Sequence, residues 1–181
     1  MKITVFGLPG TGKSTLARSL SARTGIPAIS LDAILFSPGG PLPLEEFRAE
    51  AGRVTAGRSW IVEGNYSKLA DVVWHRADTL VWLDYCLPVI AWRITARFLR
   101  QAAGREANPN RLTFRRTFTA RTSVLRNAVR KYRKNRPRYT RQTAEASAHG
   151  VLVLRLRSPR QTRCWLHSQP VAAEDQPVRN T

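Results

Sequence analysis

Eight residues near the amino terminus, Gly7-Leu8-Pro9-Gly10-Thr11-Gly12-Lys13-Ser14, follow the spacing G-x-x-x-x-G-K-S. Glycines at these intervals let the backbone curl tightly and aim its N–H groups at a polyphosphate. The lysine supplies a cation that reaches the β- and γ-phosphates, and the serine offers its hydroxyl to Mg²⁺. The chemistry implied is binding of a nucleoside triphosphate, ATP with Mg²⁺, by Gly7, Pro9, Gly10, Thr11, Gly12, Lys13, Ser14 and Thr15. Such a loop must be held between two elements. Lys2-Ile3-Thr4-Val5-Phe6 before it is a short apolar, β-branched run that reads as a buried strand. Thr15-Leu16-Ala17-Arg18-Ser19-Leu20 after it has helical periodicity, with Gly25 as its stop. The positive end of that helix adds to the attraction for phosphate.

Three acids follow apolar runs in the same way. Asp32 comes after Pro27-Ala28-Ile29-Ser30-Leu31, Glu63 closes Trp60-Ile61-Val62, and Asp84 closes Thr79-Leu80-Val81-Trp82-Leu83. In parallel α/β sheets ligands gather beyond the carboxyl ends of the strands, so all three face the expected site. Asp84 has the strand-then-aspartate form of a second nucleotide-binding motif and would hold Mg²⁺ with Ser14. Glu63 competes for that role if the third strand lies beside the first. Asp32, with Asn65 and Tyr66, would orient an acceptor.

The charge is extreme. The 181 residues carry a formal net charge of +18, with 30 Lys or Arg against 12 Asp or Glu. Between Arg93 and Arg141 stand 16 Lys or Arg residues and a single acid, Glu106. Such a block meets polyanions, either nucleotide phosphates or nucleic acid. Arg93 and Arg97 lie four apart on one helical face, with Arg100 three further on. Their planar cations suit a transferring phosphoryl group. Arg115, Arg116 and Arg121 follow across a polar turn at 104–110, and the paired basic helices would close over nucleotide as a lid. The alternative use of the block is sequence-independent, salt-sensitive contact with a nucleic-acid backbone.

The rest of the chain alternates strand and helix. Leu44 to Glu50 reads as a helix with acids in its first turn, ended by Gly57, and Tyr66 to His75 as a short helical link. Pro88 to Ala103 is a further helix. A long basic helix packs through Phe114, Phe118, Leu125, Val129 and Tyr132, is interrupted at Pro137, and continues as a more polar stretch to His149. Val151 to Leu154 is the fifth strand, Pro159 to Leu166 the closing helix, and 168–181 a polar, disordered tail. Cys86 and Cys164 are far apart and the three histidines scattered, which predicts a reducing cytoplasm and no structural metal. No apolar run is long enough to span a bilayer, and the first strand begins too early for a signal peptide. Continuous apolar strands between helices predict one α/β domain over 1–167 with a parallel sheet covered on both faces.

These motifs together resemble the nucleoside-monophosphate kinase-like group of P-loop proteins. They are most similar to the small proteins described as adenylate-kinase-related or DNA topology-modulation proteins. The resemblance runs from Met1 to Leu166 and rests on Gly7–Ser14, Ser30-Leu31-Asp32, Trp60–Tyr66, Ala77–Asp84, Arg93…Arg97…Arg100 and Leu156-Arg157-Ser158-Pro159-Arg160. It implies a three-layer fold with a five-stranded parallel sheet in order 2-3-1-4-5 and an arginine-rich lid over about 93–141. It also implies that Arg93 and Arg97 touch the phosphates and that Arg157 and Pro159 lie near the adenine. The activity it implies is phosphoryl transfer from Mg-ATP to a small acceptor, with Arg100 on the substrate side. The family's Phe-Pro-Arg after its Asp-Gly is absent behind Glu63-Gly64, and its Arg-x-Asp-Asp lid element is missing, so the acceptor stays open.

Overall fold

The computed structural model describes residues 1–37, 40–104 and 124–172. Five strands form one parallel sheet: β1 (Lys2–Gly7), β2 (Ala28–Ser30), β3 (Trp60–Glu63), β4 (Thr79–Leu83) and β5 (Leu152–Leu156), in the order β2-β3-β1-β4-β5. This is the order the resemblance implies. Along β1 every residue after Lys2 is buried, so both faces of the central strand are covered, as expected of a parallel sheet fed by helical crossovers.

Cross-strand partners share a face, and the register pairs Phe6 with Trp82 and Trp82 with Arg155. On that face Phe6 meets Trp74 with ring centroids 4.5 Å apart and Tyr139 edge-on at 5.4 Å. Trp74 belongs to the link between β3 and β4, which is built from two 3₁₀ turns around α4 (Ala70–Val73). Tyr139 belongs to α6 (Val124–Ala148). The opposite face is left to α1 (Lys13–Thr24) and α7 (Pro159–His167), which touch each other. Two short helices, α2 (Leu31–Leu35) and α3 (Leu44–Val54), join β2 to β3, and α5 (Leu87–Ala102) follows β4.

Several elements depart from the sequence reading. The second strand stops at Ser30, because Leu31 already begins α2 and places Asp32 in its first turn. α3 ends at Val54, where the Thr55 N–H and hydroxyl both bond to the Ala51 carbonyl, before Gly57 is reached. β5 runs two residues past Leu154 and so takes Arg155 into the sheet. Pro137 does not interrupt the basic helix. It removes one backbone donor, but Ala128 before it and Tyr139, Thr143 and Ala146 after it are all buried, and this packing holds the two halves in one 25-residue helix. Among the described residues the packed stripe runs through the buried 128, 139, 143 and 146 and the half-buried Tyr132, which belongs to the expected face. Phe114, Phe118, Arg115, Arg116 and Arg121 lie outside the described residues, as does most of the turn at 104–110. Of the expected tail, 168–172 returns to α1: Arg23 donates to the carbonyls of His167 and Gln169, each at 2.7 Å, and Ala172 N–H bonds to Arg23 O. Residues 173–181 lie outside the described set.

Candidate active site

The loop between β1 and α1 is shaped by two glycines in the left-handed region. Gly10 has φ 85° and Gly12 φ 90°. A side chain at Gly12 would put its Cβ 2.5 Å from Arg93 Nη2, and one at Gly10 would meet Ile94 at 2.9 Å. The glycines are thus required by conformation and by the close approach of α5. Thr11 turns its hydroxyl back onto the Leu8 carbonyl at 2.8 Å, and Arg93 Nε donates to the Gly10 carbonyl at 3.2 Å. Arg93 also lies over the Tyr85 ring, 5.9 Å from its centroid. α1 begins directly after this turn, and Gly12, its N-cap, brings no side-chain acceptor to the first N–H groups of the helix.

Lys13 is the residue least at ease. Its Nζ reaches one acceptor, the Leu8 carbonyl at 3.4 Å, and burial pushes its pKa below the ordinary lysine value. Glu63 and Asp32 pull it back up, while Lys131 of α6 pushes it down again. Two strand-end acids and the basic helix are therefore within electrostatic reach of one ammonium. Ser14 and Thr15 stand exposed on the first turn of α1, and Pro9 is half-buried in the loop.

Glu63 sits in register with Val5 on the strand beside β1, which brings it next to the loop. It is 5% exposed and accepts a hydrogen bond from the Ser30 hydroxyl at 2.6 Å. Asp32 accepts from the Tyr66 hydroxyl at 2.5 Å. Burial, with that bond and the neighbouring charge of Asp32, holds the Tyr66 phenol well above its ordinary pKa. Phe47 braces the Tyr66 ring edge-on at 4.9 Å.

Asn65 is placed differently from the acceptor contact expected of it. Its Oδ1 accepts from Gly7 N–H at 2.9 Å and its Nδ2 donates to the Gly7 carbonyl, so the amide acts as a strut that fixes the start of the phosphate loop. Asn65→Leu would leave both backbone groups of Gly7 without this partner. We expect a loss of about 1–3 kcal/mol in urea unfolding; an unchanged midpoint would show that the strut carries no load.

Asp84 is engaged elsewhere. Its side chain is 2% exposed and accepts from Arg155 at 2.6 and 2.9 Å and from Arg136 at 3.1–3.3 Å. Arg155 lies over Trp82, 4.4 Å from the ring centroid. A carboxylate committed to two guanidinium groups is poorly placed to serve a cation as well. Glu63, with one hydroxyl partner, is the acid beside the loop that remains open to that role.

The remaining expected residues spread out. Arg97 and Arg100 lie one and two turns beyond Arg93 on α5, both exposed. The exposed Arg157 donates its N–H to the Gln161 side chain at 2.7 Å, and Ser158 caps α7 by accepting from Gln161 N–H at 3.2 Å. Pro159 occupies the first turn of that helix. Sequence reasoning missed Ser30, Lys131, Arg136 and Arg155. The Ser158-x-x-Gln161 spacing was a readable capping signal. Nothing in the sequence pairs Asp84 with arginines 52 and 71 positions away. Among the described residues no group of three or more His, Cys, Asp or Glu could hold a metal ion, and no helix is long and apolar enough to cross a membrane.

No protein-family model matches the chain, and no curated protein matches it. Solved structures do. A shikimate kinase from Bacteroides thetaiotaomicron superposes with a TM-score of 0.57 at 15% identity, covering 92% of this chain and 94% of that one. A gluconokinase from Sinorhizobium meliloti 1021 superposes with a TM-score of 0.51 at 19% identity, covering 92% and 91%. With the strand order and the Gly7–Ser14 loop, these likenesses define a chain with the P-loop kinase fold.

Proposed function

We propose that this chain is an ATP- and Mg²⁺-dependent phosphotransferase whose acceptor is a small hydroxyl compound. The observation that carries the reading is Lys13: a half-buried lysine with no carboxylate hydrogen-bonded to it among the described residues, beside a helix N-terminus that lacks a side-chain cap. An anion of several charges at the loop would relieve both deficits at once. The residues thus fit a nucleoside triphosphate. Bound Mg-ATP would supply the transferable phosphoryl group. Lys13 and the loop N–H groups would hold its phosphates, and Arg93 would bring a second cation over the loop, with Arg97 beyond it.

For Mg²⁺ the fitting pair is Ser14 with Glu63, since Asp84 is already clamped by Arg136 and Arg155. Asp32 and Tyr66 line the acceptor side. A carboxylate and a phenol suit a hydroxyl group better than a phosphate, because Asp32 can accept the hydroxyl proton as the bond to phosphorus forms. The finer kinship with adenylate-kinase-related proteins rests on the sequence motifs. The reading takes 1–167 as a single nucleotide-binding unit, its five strands in one sheet, working in a reducing cytoplasm. Within the basic block, Arg136 is paired with Asp84 and Lys131 is within electrostatic reach of Lys13, which favours nucleotide over nucleic acid as the polyanion.

The test is ATP consumption with Mg²⁺ across polyols, hydroxy acids and nucleoside monophosphates. One hydroxyl acceptor should be turned over, and Asp32→Asn should lower its kcat/KM by about 10²-fold. Turnover restricted to nucleoside monophosphates would refute the hydroxyl assignment. A flat panel with ATP still bound, alongside salt-sensitive DNA binding, would move the assignment to a nucleotide-regulated nucleic-acid-binding protein.

A further inference from the structure

A cavity of about 460 Å³ opens between α6 and β5, lined by Tyr132, Arg133, Arg136, Pro137, Thr140 and Arg155. No residue of the phosphate loop borders it. Three of its six lining residues are arginines, and among the described residues the only carboxylate bonded to any of them is Asp84, which Arg136 and Arg155 share. Both use Nε and Nη2 on Asp84, so each fork keeps its Nη1 hydrogens. Arg133 is exposed and has no ion-pair partner among the described residues. The other walls are flat and apolar: the Tyr132 ring, with the Arg136 guanidinium 5.4 Å from its centroid, and the Pro137 ring that breaks the run of charged side chains on the helix.

We propose that this cavity binds a small organic anion, a carboxylate or phosphate carried on a flat apolar ring. Guanidinium groups recognise either head group through paired N–H donors, and the excess positive charge around Asp84 favours an incoming anion. The groove is open to solvent, and the apolar lining that Tyr132 and Pro137 give it would be left uncovered by an inorganic ion, which argues for an organic body. Thr140, whose hydroxyl donates to the Arg136 carbonyl at 3.0 Å, also lines it. The proposal stands whether or not the chain transfers phosphate.

Calorimetric titration of the full chain with phenyl phosphate, benzoate and inorganic phosphate tests it. The Lys13→Met chain serves as host, so that the phosphate loop contributes little. We expect one equivalent of phenyl phosphate or benzoate to bind, the tighter of the two naming the head group, and inorganic phosphate to bind at least about ten-fold more weakly. Arg133→Ala should weaken binding about ten-fold, and Thr140→Trp, which fills the cavity from an exposed position, should abolish it. Absence of binding to the Lys13→Met chain would overturn the proposal, as would equal affinity in the Arg133→Ala variant or equal affinity for inorganic phosphate.

Discussion

Lys13→Met is expected to lower ATP turnover by about 10³-fold and yet to unfold no earlier than the parent chain. The two halves of this expectation have one cause. Lys13 is held where burial disfavours its charge, with Glu63 and Asp32 offsetting only part of the penalty. The uncapped, positive start of α1 beside the ammonium adds to the penalty until phosphates surround both. Removing the charge takes away phosphate binding and, with it, an unfavourable group. The pH dependence follows from the sign. The folded pKa lies below the unfolded value of 10.5, so between the two the unfolded chain binds more protons. Parent stability should therefore rise, relative to Lys13→Met, as pH increases toward 10.5. Parallel thermal melts from neutral to alkaline pH would show it. A variant that melts well below the parent at neutral pH would mean that Lys13 stabilises the fold, and the argument from its discomfort would fail.

What could be read from the sequence and what could not divide along physical lines. The phosphate loop was legible because its chemistry needs fixed residue types at fixed spacing within eight positions. The strands were legible because burial on both faces leaves continuous apolar runs such as Leu80 to Leu83. Boundaries slipped where a tertiary contact outweighed a local signal. Pro137 announces a break, but the rings of Phe6 and Trp82 against Tyr139 hold the helix on the sheet beyond it. Arg155 lies just past the expected end of the fifth strand, yet its guanidinium covers Trp82 and its fork meets Asp84. Strand order alone did not decide between the acids. Glu63 and Asp84 close similar apolar runs, and both strands flank β1. Only the partners brought from α6 and β5 distinguish them, and those partners are distant in sequence. Asn65 was recognisable as a site residue but not as a strut, because its role depends on the geometry of Gly7.

The second large effect is expected at Asp84. Asp84→Asn keeps the shape of the side chain and removes the one charge that Arg136 and Arg155 share. Breaking a buried ion pair from one side typically costs about 3–5 kcal/mol. Here Arg136 is 43% exposed and Arg155 30%, so water would screen the stranded guanidinium groups, and about 2–4 kcal/mol is the better expectation. For a chain of this size that is a fall of roughly 4–16 °C in Tm. The damage should extend to the site, because Arg136 lies five residues from Lys131 on α6, and a helix loosened from Asp84 no longer holds Lys131 near Lys13. A metal ligand would behave in the opposite way. Its neutralisation would spare the fold and raise the Mg²⁺ concentration needed for half-maximal activity. Glu63→Gln is expected to do that, with little loss of stability, since the amide can still accept from Ser30. Measuring Tm and Mg²⁺ dependence for both variants separates the two roles. If Asp84→Asn melts like the parent and needs more Mg²⁺, the clamp is wrong and Asp84 is the metal acid; if Glu63→Gln alone shifts the Mg²⁺ requirement, strand β3 supplies the ligand and strand β4 supplies the anchor for the basic helix.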